Sequence, residues 1–294
     1  MFENYVHTKE DLEAIEEALE YLERPELDFI FKDRNLIKNT LVISFDSKEL
    51  FIWTKLETSK LEKISCRVKG WNAYKIGHEL EIKDDDQRGW QSSVRPKKFL
   101  DYLPAEFNLD WYSLPKISGS LLTPFTEIHK KRREDQNSLD PYYSKESYLA
   151  TIVHEFGHVY YDMRNPRFYS DSKETSIYMK LASKLYEENE SDAIKNIPLR
   201  LLVTNKSLSE TFAFCTDYYA ASVFWISYKK DVDEQNRSRI SSAIEEEKSL
   251  RLDTTDTLLS DAHLFAAVMG KVIVTRYPND WPERLINFGE VKTL

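Results

Sequence analysis

The chain has few of the features that mark secreted, membrane-spanning or disulfide-stabilised proteins. It contains two cysteines, Cys66 and Cys215, in 294 residues, too few for the disulfide framework of a secreted scaffold. The N-terminus lacks a basic start followed by an apolar segment, and no apolar run reaches the roughly 18 residues that a membrane span needs. The sequence therefore predicts two free thiols and a cytoplasmic location, with no membrane partner.

Acidic residues outnumber basic residues, 50 to 41, and glycines are scarce. The formal net charge is −9, and no basic stripe or recognition motif is present, so nucleic acid is not expected as the principal partner. Seven glycines favour a helix-rich fold with few tight hairpins. A hydrophobic content of 41% indicates a globular protein with a substantial core.

The most informative segment is His154-Glu155-Phe156-Gly157-His158, which has the pattern HExxH. On an α-helix, residues four apart lie on one face, so both imidazoles can reach the same metal ion. Zinc held by two imidazoles and one further protein ligand keeps a position open for water and lowers the pKa of that water to roughly 7. Glu155 is then the expected general base. The alternative is a core helix whose two histidines are merely hydrogen-bonded.

The surrounding residues resemble those of zinc metallopeptidases. In those families a Thr or Val stands three places before the first His, as Thr151 does here, and apolar residues follow the second His, as Val159 and Tyr160 do. The run 144–163 carries few charges and predicts one buried helix. The resemblance implies that this helix is the metal helix of a peptidase.

A second apolar helix, predicted over residues 207–225, carries the candidate third ligand, Glu210. The segment resembles the second metal helix of gluzincins, zinc peptidases whose third ligand is a Glu often followed by Ala three residues later, as Ala213 follows here. That resemblance implies that Asp217, seven residues after Glu210, orients a metal-bound His. The alternative for Glu210 is a capping box with Ser207 at a helix N-terminus.

Two further residues complete the predicted site. Asp162 continues the face of His154 and His158, but it lies too far along the helix to close a tetrahedron easily, so a supporting role beside a metal-bound His is expected. His263 is the first candidate for stabilising the oxyanion of the tetrahedral intermediate, a role that gluzincin-like enzymes often give to a downstream donor. A core histidine is the alternative for His263. Four tyrosines compete for the same role: Tyr160, Tyr161, Tyr218 and Tyr219.

The predicted fold class is α+β, with a zincin-like catalytic domain, a mostly helical C-terminal half and a small N-terminal β-containing region. A helix is predicted over 9–22. Strands are predicted over 27–31, 40–45, 49–53, 64–68 and 117–128, the last confined to a sheet edge by Pro124. We expect an N-terminal α+β region at 1–104 and a metallopeptidase domain at 105–294.

These observations predict a gluzincin-type zinc metallopeptidase that hydrolyses peptide bonds in a peptide or protein substrate. His154, His158 and Glu210 are the expected zinc ligands, Glu155 is the expected base and His263 the expected oxyanion donor. The alternative function is a non-catalytic, zinc-containing peptide-binding or regulatory protein with a peptidase-like cleft. A second alternative is a structural helical domain in which the HExxH pattern is accidental. This alternative predicts that no zinc is bound.

Overall fold

The structure is a computed structural model of the full chain. It describes residues 6–35, 40–46, 48–77, 80–82, 94–96, 117–122, 145–164, 205–234, 266, 270–271 and 273–288. The chain divides into two compact units, residues 1–159 and 160–294. The division falls inside one continuous helix, Lys145–Arg164 (α2). The predicted domain boundary at residues 104/105 lies outside the described residues and stays a prediction.

The first unit begins with helix α1, Lys9–Leu22, whose predicted bounds are confirmed. Thr8 is its N-cap, and a capping box pairs Thr8 with Asp11, each side chain bonding the other residue's backbone N–H. Ala14, Ile15 and Leu19 belong to its fully buried face. The local capping box and one buried apolar face thus explain where this helix begins and which side it buries.

A short 3-10 helix, Pro25–Phe29, follows α1. The predicted strand over 27–31 is therefore wrong. Pro25 presets the backbone angle of a helical first turn and has no N–H to lose there. That local effect outweighs the aromatic and β-branched composition of Leu27 to Phe31.

Five strands form the main sheet of the first unit: β1 Leu41–Phe45, β2 Glu49–Thr54, β3 Glu62–Ile64, β4 Asn72–Gly77 and β7 Ile117–Leu122. Their order across the sheet is β3-β4-β2-β1-β7. All neighbours pair antiparallel except β1 and β7, which run parallel. Two short strands, β5 Leu80–Ile82 and β6 Val94–Pro96, pair separately.

The strand predictions are confirmed at β1, at β2 and, over residues 117–122, at β7, which is at the edge of the sheet among the described strands. Residues 123–128 of that prediction, with Pro124, lie outside the described residues. Leu41, Val42 and Ile43 are buried in succession, as are Leu50 to Thr54. Because consecutive strand residues point to opposite faces, both faces of these central strands are covered. β3 lies earlier than the predicted strand over 64–68, and β4 is a strand that the sequence does not predict.

The first unit also contains the contacts that support helix α2. Glu17 of α1 forms an ion pair with Lys145, with 2.6 Å between Oε2 and Nζ. Trp71 meets the ring of Phe156 edge-on, with ring centroids 6.4 Å apart. Phe156 is two positions from each motif histidine and so lies on the opposite side of the helix. Residues of the N-terminal region thus contact α2 and pack against it on the side opposite His154 and His158.

The second unit is helical over the residues described. It contains α3, Asn205–Phe224, a helical segment at 226–234, and α4, Trp281–Phe288. Phe212 is its central buried side chain, with ring contacts to Tyr160, Tyr161 and Trp281 at centroid distances of 5.4–6.1 Å. This aromatic cluster fixes α3 against the last turns of α2.

Two further contacts hold α3 in place. A Cβ added at Gly270 would lie 2.3 Å from Cδ1 of Phe214, so only glycine permits this close approach. The hydroxyl of Tyr218 donates to Asp233 at 3.1 Å, and Asp233 also pairs with Lys229 and Lys271.

Among the described residues, no helix is both long and apolar enough to cross a membrane.

Candidate metal centre

Helix α2 brings the two motif histidines together. His154 and His158 are one turn apart, and their Nε2 atoms lie 3.1 Å from each other. The ring planes are nearly perpendicular, at 77°, with centroids 4.8 Å apart. Both side chains are half-buried. The helical spacing therefore gives the convergence of ring nitrogens that the sequence predicts.

Glu210 of α3 is the third member of this group. Each of the three residues offers a ligand atom, and these atoms all lie within 4.8 Å of one another. Glu210 keeps 9% of its surface exposed, and its Oε2 atom is buried. Within the part of the chain that the structure describes, this is the one such group of three potential ligands.

The distances can be compared with the needs of zinc. Two nitrogens, each about 2.0–2.1 Å from a tetrahedral ion, lie about 3.3 Å apart. The separation between Nε2 of His154 and Nε2 of His158, 3.1 Å, is close to that value. Glu210 offers a carboxylate oxygen within 4.8 Å of a ring nitrogen of each histidine, so the three residues present two nitrogens and one oxygen. These residues fit zinc, and a bound cation would compensate a buried carboxylate charge.

The capping alternative for Glu210 does not match the structure. Helix α3 begins at Asn205, two residues before Ser207. Ser207 is therefore inside the helix rather than its N-cap, and Glu210 lies in the second turn. The N3 position that a capping box requires is thus not the position of Glu210.

Glu155 lies beside the histidines on the same helix. One residue corresponds to a rotation of about 100°, so its carboxylate projects to the flank of the face that carries His154 and His158. Glu155 is half-buried and so remains reachable from solvent. In this position the Glu155 carboxylate can exchange a proton with a water molecule or ligand bound at the histidine pair.

Three of the four competing tyrosines have other partners. Tyr160 and Tyr161 pack against Phe212 in the core. Tyr218 donates its hydroxyl to Asp233. Packing therefore accounts for the first two, and a charged hydrogen-bond network accounts for the third. Tyr219 is half-buried on α3.

The remaining predicted site residues are placed only in part. Asp217 is half-buried on α3, two turns beyond Glu210 and on nearly the same face. Asp162 belongs to α2, but its side chain is outside the described residues, and His263 lies outside them altogether. The supporting roles of the two aspartates and the oxyanion role of His263 stay predictions.

Comparison with known proteins does not assign the chain to a group. No family model, no curated protein and no solved structure matches it. The functional argument therefore depends on the residues of this chain alone.

Proposed function

We propose that the protein is a zinc-dependent metallopeptidase of gluzincin type that hydrolyses peptide bonds in peptide or protein substrates. The observation that carries the proposal is the group of His154, His158 and Glu210, with ligand atoms within 4.8 Å of one another, next to the intact Glu155. His154 and His158 would hold zinc through Nε2 and Glu210 through a carboxylate oxygen. The zincin-like fold expected from the sequence is part of the same proposal.

Zinc bound to this set supplies Lewis acidity and lowers the pKa of a coordinated water to roughly 7. Glu155 supplies the proton transfer. One of its carboxylate oxygens takes a proton from the attacking water and then gives it to the nitrogen of the departing amine. His154 and His158 must be neutral at Nε2 to act as ligands, and their neighbouring positions on one rigid helix keep both nitrogens aimed at one point.

Trp71 and Phe156 contribute to this function through rigidity. Their edge contact lies behind the metal face of α2, and Phe212 packs against the last turns of the same helix. Rigid support matters because a ligand set must be held within about 0.5 Å of its working geometry. Both metal helices are thus anchored by buried aromatic side chains.

The test is hydrolysis of a mixed peptide library by the full chain purified without added metal. We expect cleavage that a chelator abolishes and that stoichiometric zinc restores. A zinc-containing protein that cleaves no peptide would favour the non-catalytic, peptide-binding alternative. That alternative requires no base, so the retention of Glu155 argues against it. Cleavage that persists without metal would contradict the proposal.

A further inference from the structure

A second histidine site lies in the first unit. There, His7 connects the residues that precede α1 to the hairpin of β1 and β2 through hydrogen bonds. The Nε2 atom of His7 lies 2.7 Å from Oγ of Ser44, which belongs to β1. The backbone N–H of His7 donates to Oδ2 of Asp46 at 2.8 Å. One residue of the N-terminal segment therefore makes two hydrogen bonds to the hairpin.

The surroundings of the His7 imidazole favour its neutral form. Its ring meets Phe51 edge-on, with centroids 5.1 Å apart. Its Nδ1 atom is buried and, among the residues that the structure describes, has no hydrogen-bond partner. A protonated imidazole carries N–H on both nitrogens. Protonation would therefore place an unsatisfied charged donor at Nδ1, in a pocket that Phe51 and the fully buried Ser44 help to form.

Two carboxylates face His7, Asp46 from the turn after β1 and Asp11 from α1. Asp46 already accepts from the backbone N–H groups of Lys48 and Glu49 at 2.8 Å through Oδ1, besides its bond from His7. Asp11 accepts from the backbone N–H and the hydroxyl of Thr8 through Oδ2. Both carboxylates are buried and engaged with these donors.

One further titratable group, the phenol of Tyr148, approaches this cluster from α2. Burial, with a smaller effect of Asp11, raises the pKa of Tyr148 above its usual range, so the phenol stays neutral in acid. Burial also lowers the pKa of His7 from 6.5 to about 4, against the opposing attraction of Asp11 and Asp46. Desolvation therefore outweighs both carboxylates at His7.

We propose that His7 is an acid-released latch, in which the neutral imidazole holds residues 6–8 on the β1–β2 hairpin and its protonation frees them. The latch does not depend on the metal centre or on the proposed peptidase activity. Release would expose the N-terminal end of α1, the helix whose Glu17 pairs with Lys145 of α2. The structure thus contains a pH-sensitive attachment at the start of the helix that supports α2.

The direction of the effect follows from linkage. The docked state holds His7 with a pKa of about 4, and a free segment holds it near 6.5, so protons favour the free segment. The latch is fully stabilised above pH 6.5 and loses that stabilisation as the pH falls towards 4. Between pH 7.5 and 4.5 the ratio of docked to free segment is expected to fall by about 70-fold.

Hydrogen exchange of the full chain measures this ratio directly. Protection of the peptide that contains residues 6–12, corrected for the intrinsic pH dependence of exchange, should fall by about 70-fold between pH 7.5 and 4.5. In His7→Gln, which keeps a side-chain partner for Ser44 but cannot be protonated, protection should be nearly independent of pH. An equal loss of protection in His7→Gln would assign the acid response to the carboxylates and overturn the latch.

A second measurement uses the unmodified protein and so does not depend on the folding of a variant. NMR titration of the His7 ring, assigned by the signal that His7→Gln removes or by its contact with Phe51, should give a midpoint between about 4 and 6.5, because protonation is coupled to release of a docked segment that disfavours the charged ring. A midpoint near 6.5 would show a solvated imidazole and would overturn the proposal.

Discussion

Among the residues that the structure describes, histidines lie in two clusters with carboxylates, and the two clusters are arranged for opposite purposes. At the pair on α2, two Nε2 atoms lie 3.1 Å apart, and the ligand atoms of the two histidines and of the buried Glu210 all lie within 4.8 Å of one another. At His7, the ring bonds a serine hydroxyl, while the nearby carboxylates accept backbone N–H groups. The first arrangement is suited to a cation, and the second excludes charge from its imidazole.

Residue type alone does not separate these two clusters, because both contain His together with Asp or Glu. What differs is whether the lone pairs converge. On α2 a helical spacing of four aims two nitrogens at one point. At His7 the carboxylate acceptors are used by local backbone donors, and one ring nitrogen is buried without a hydrogen-bond partner among the described residues. Each of the following experiments tests whether that difference has the expected consequence.

The largest expected effect is at Glu155. Glu155→Gln should leave zinc content unchanged and lower kcat by about 10²–10⁴-fold, the usual contribution of a positioned general base. The matched control is Glu146→Gln, an exposed carboxylate in the first turn of the same helix, which should retain the parent rate. Turnover by Glu155→Gln at the parent rate would remove Glu155 from the mechanism.

Next in size is the loss of the third ligand. Loss of a residue that only hydrogen-bonds a metal ligand typically weakens metal binding by roughly 10–100-fold. Glu210→Gln removes an expected ligand, so zinc binding should weaken by at least that factor. The control is Glu234→Gln, an exposed carboxylate at the end of the helical segment 226–234. Zinc affinity measured by competition with a chromophoric chelator would show the change. An unaltered affinity in Glu210→Gln would mean that another residue completes the site.

A smaller effect is expected at Asp217. If Asp217 orients a metal-bound histidine, Asp217→Asn should weaken zinc binding by roughly 10-fold, because the amide holds an imidazole less firmly than a carboxylate does. Titration with the same chelator measures it. Zinc affinity equal to that of the parent would leave Asp217 as a helix residue with no influence on the metal.

The smallest effect should come from His7, which sharpens the contrast between the clusters. His7→Gln should leave zinc affinity at pH 7.5 within about twofold of the parent, since additivity is expected for sites without shared partners. In both proteins zinc affinity should fall in acid, because protons compete for the ligand nitrogens. A loss of zinc binding in His7→Gln at pH 7.5 would show that the two clusters are coupled.

The sequence predicts well those features that are encoded within one element. The bounds of α1 follow from a capping box and a periodic apolar face, and the convergence of two imidazoles on one face of α2 follows from the spacing of His154 and His158. Local composition also indicates the candidate third ligand, because Glu210 is one of two charged residues in the apolar run 207–225. Its proximity to the histidine pair is a distance that the sequence alone cannot supply.

Features that depend on context are not predicted by the sequence. Strand β4 is one of these, because its polar residues gain their strand conformation by pairing with β2 and β3. Residues Leu27 to Phe31 have strand-like composition, yet Pro25 directs them into a 3-10 turn. The His7 cluster joins residues 37 and 39 positions apart in the chain, so no local spacing reveals it.

The central claim, that His154, His158 and Glu210 hold zinc, is tested most directly by elemental mass spectrometry of the protein purified without added metal or chelator. The proposal predicts about one zinc per chain, with most of it lost in His154→Ala. No zinc in the parent, even after reconstitution, would contradict the claim and leave the two imidazoles as a hydrogen-bonded pair within a core helix.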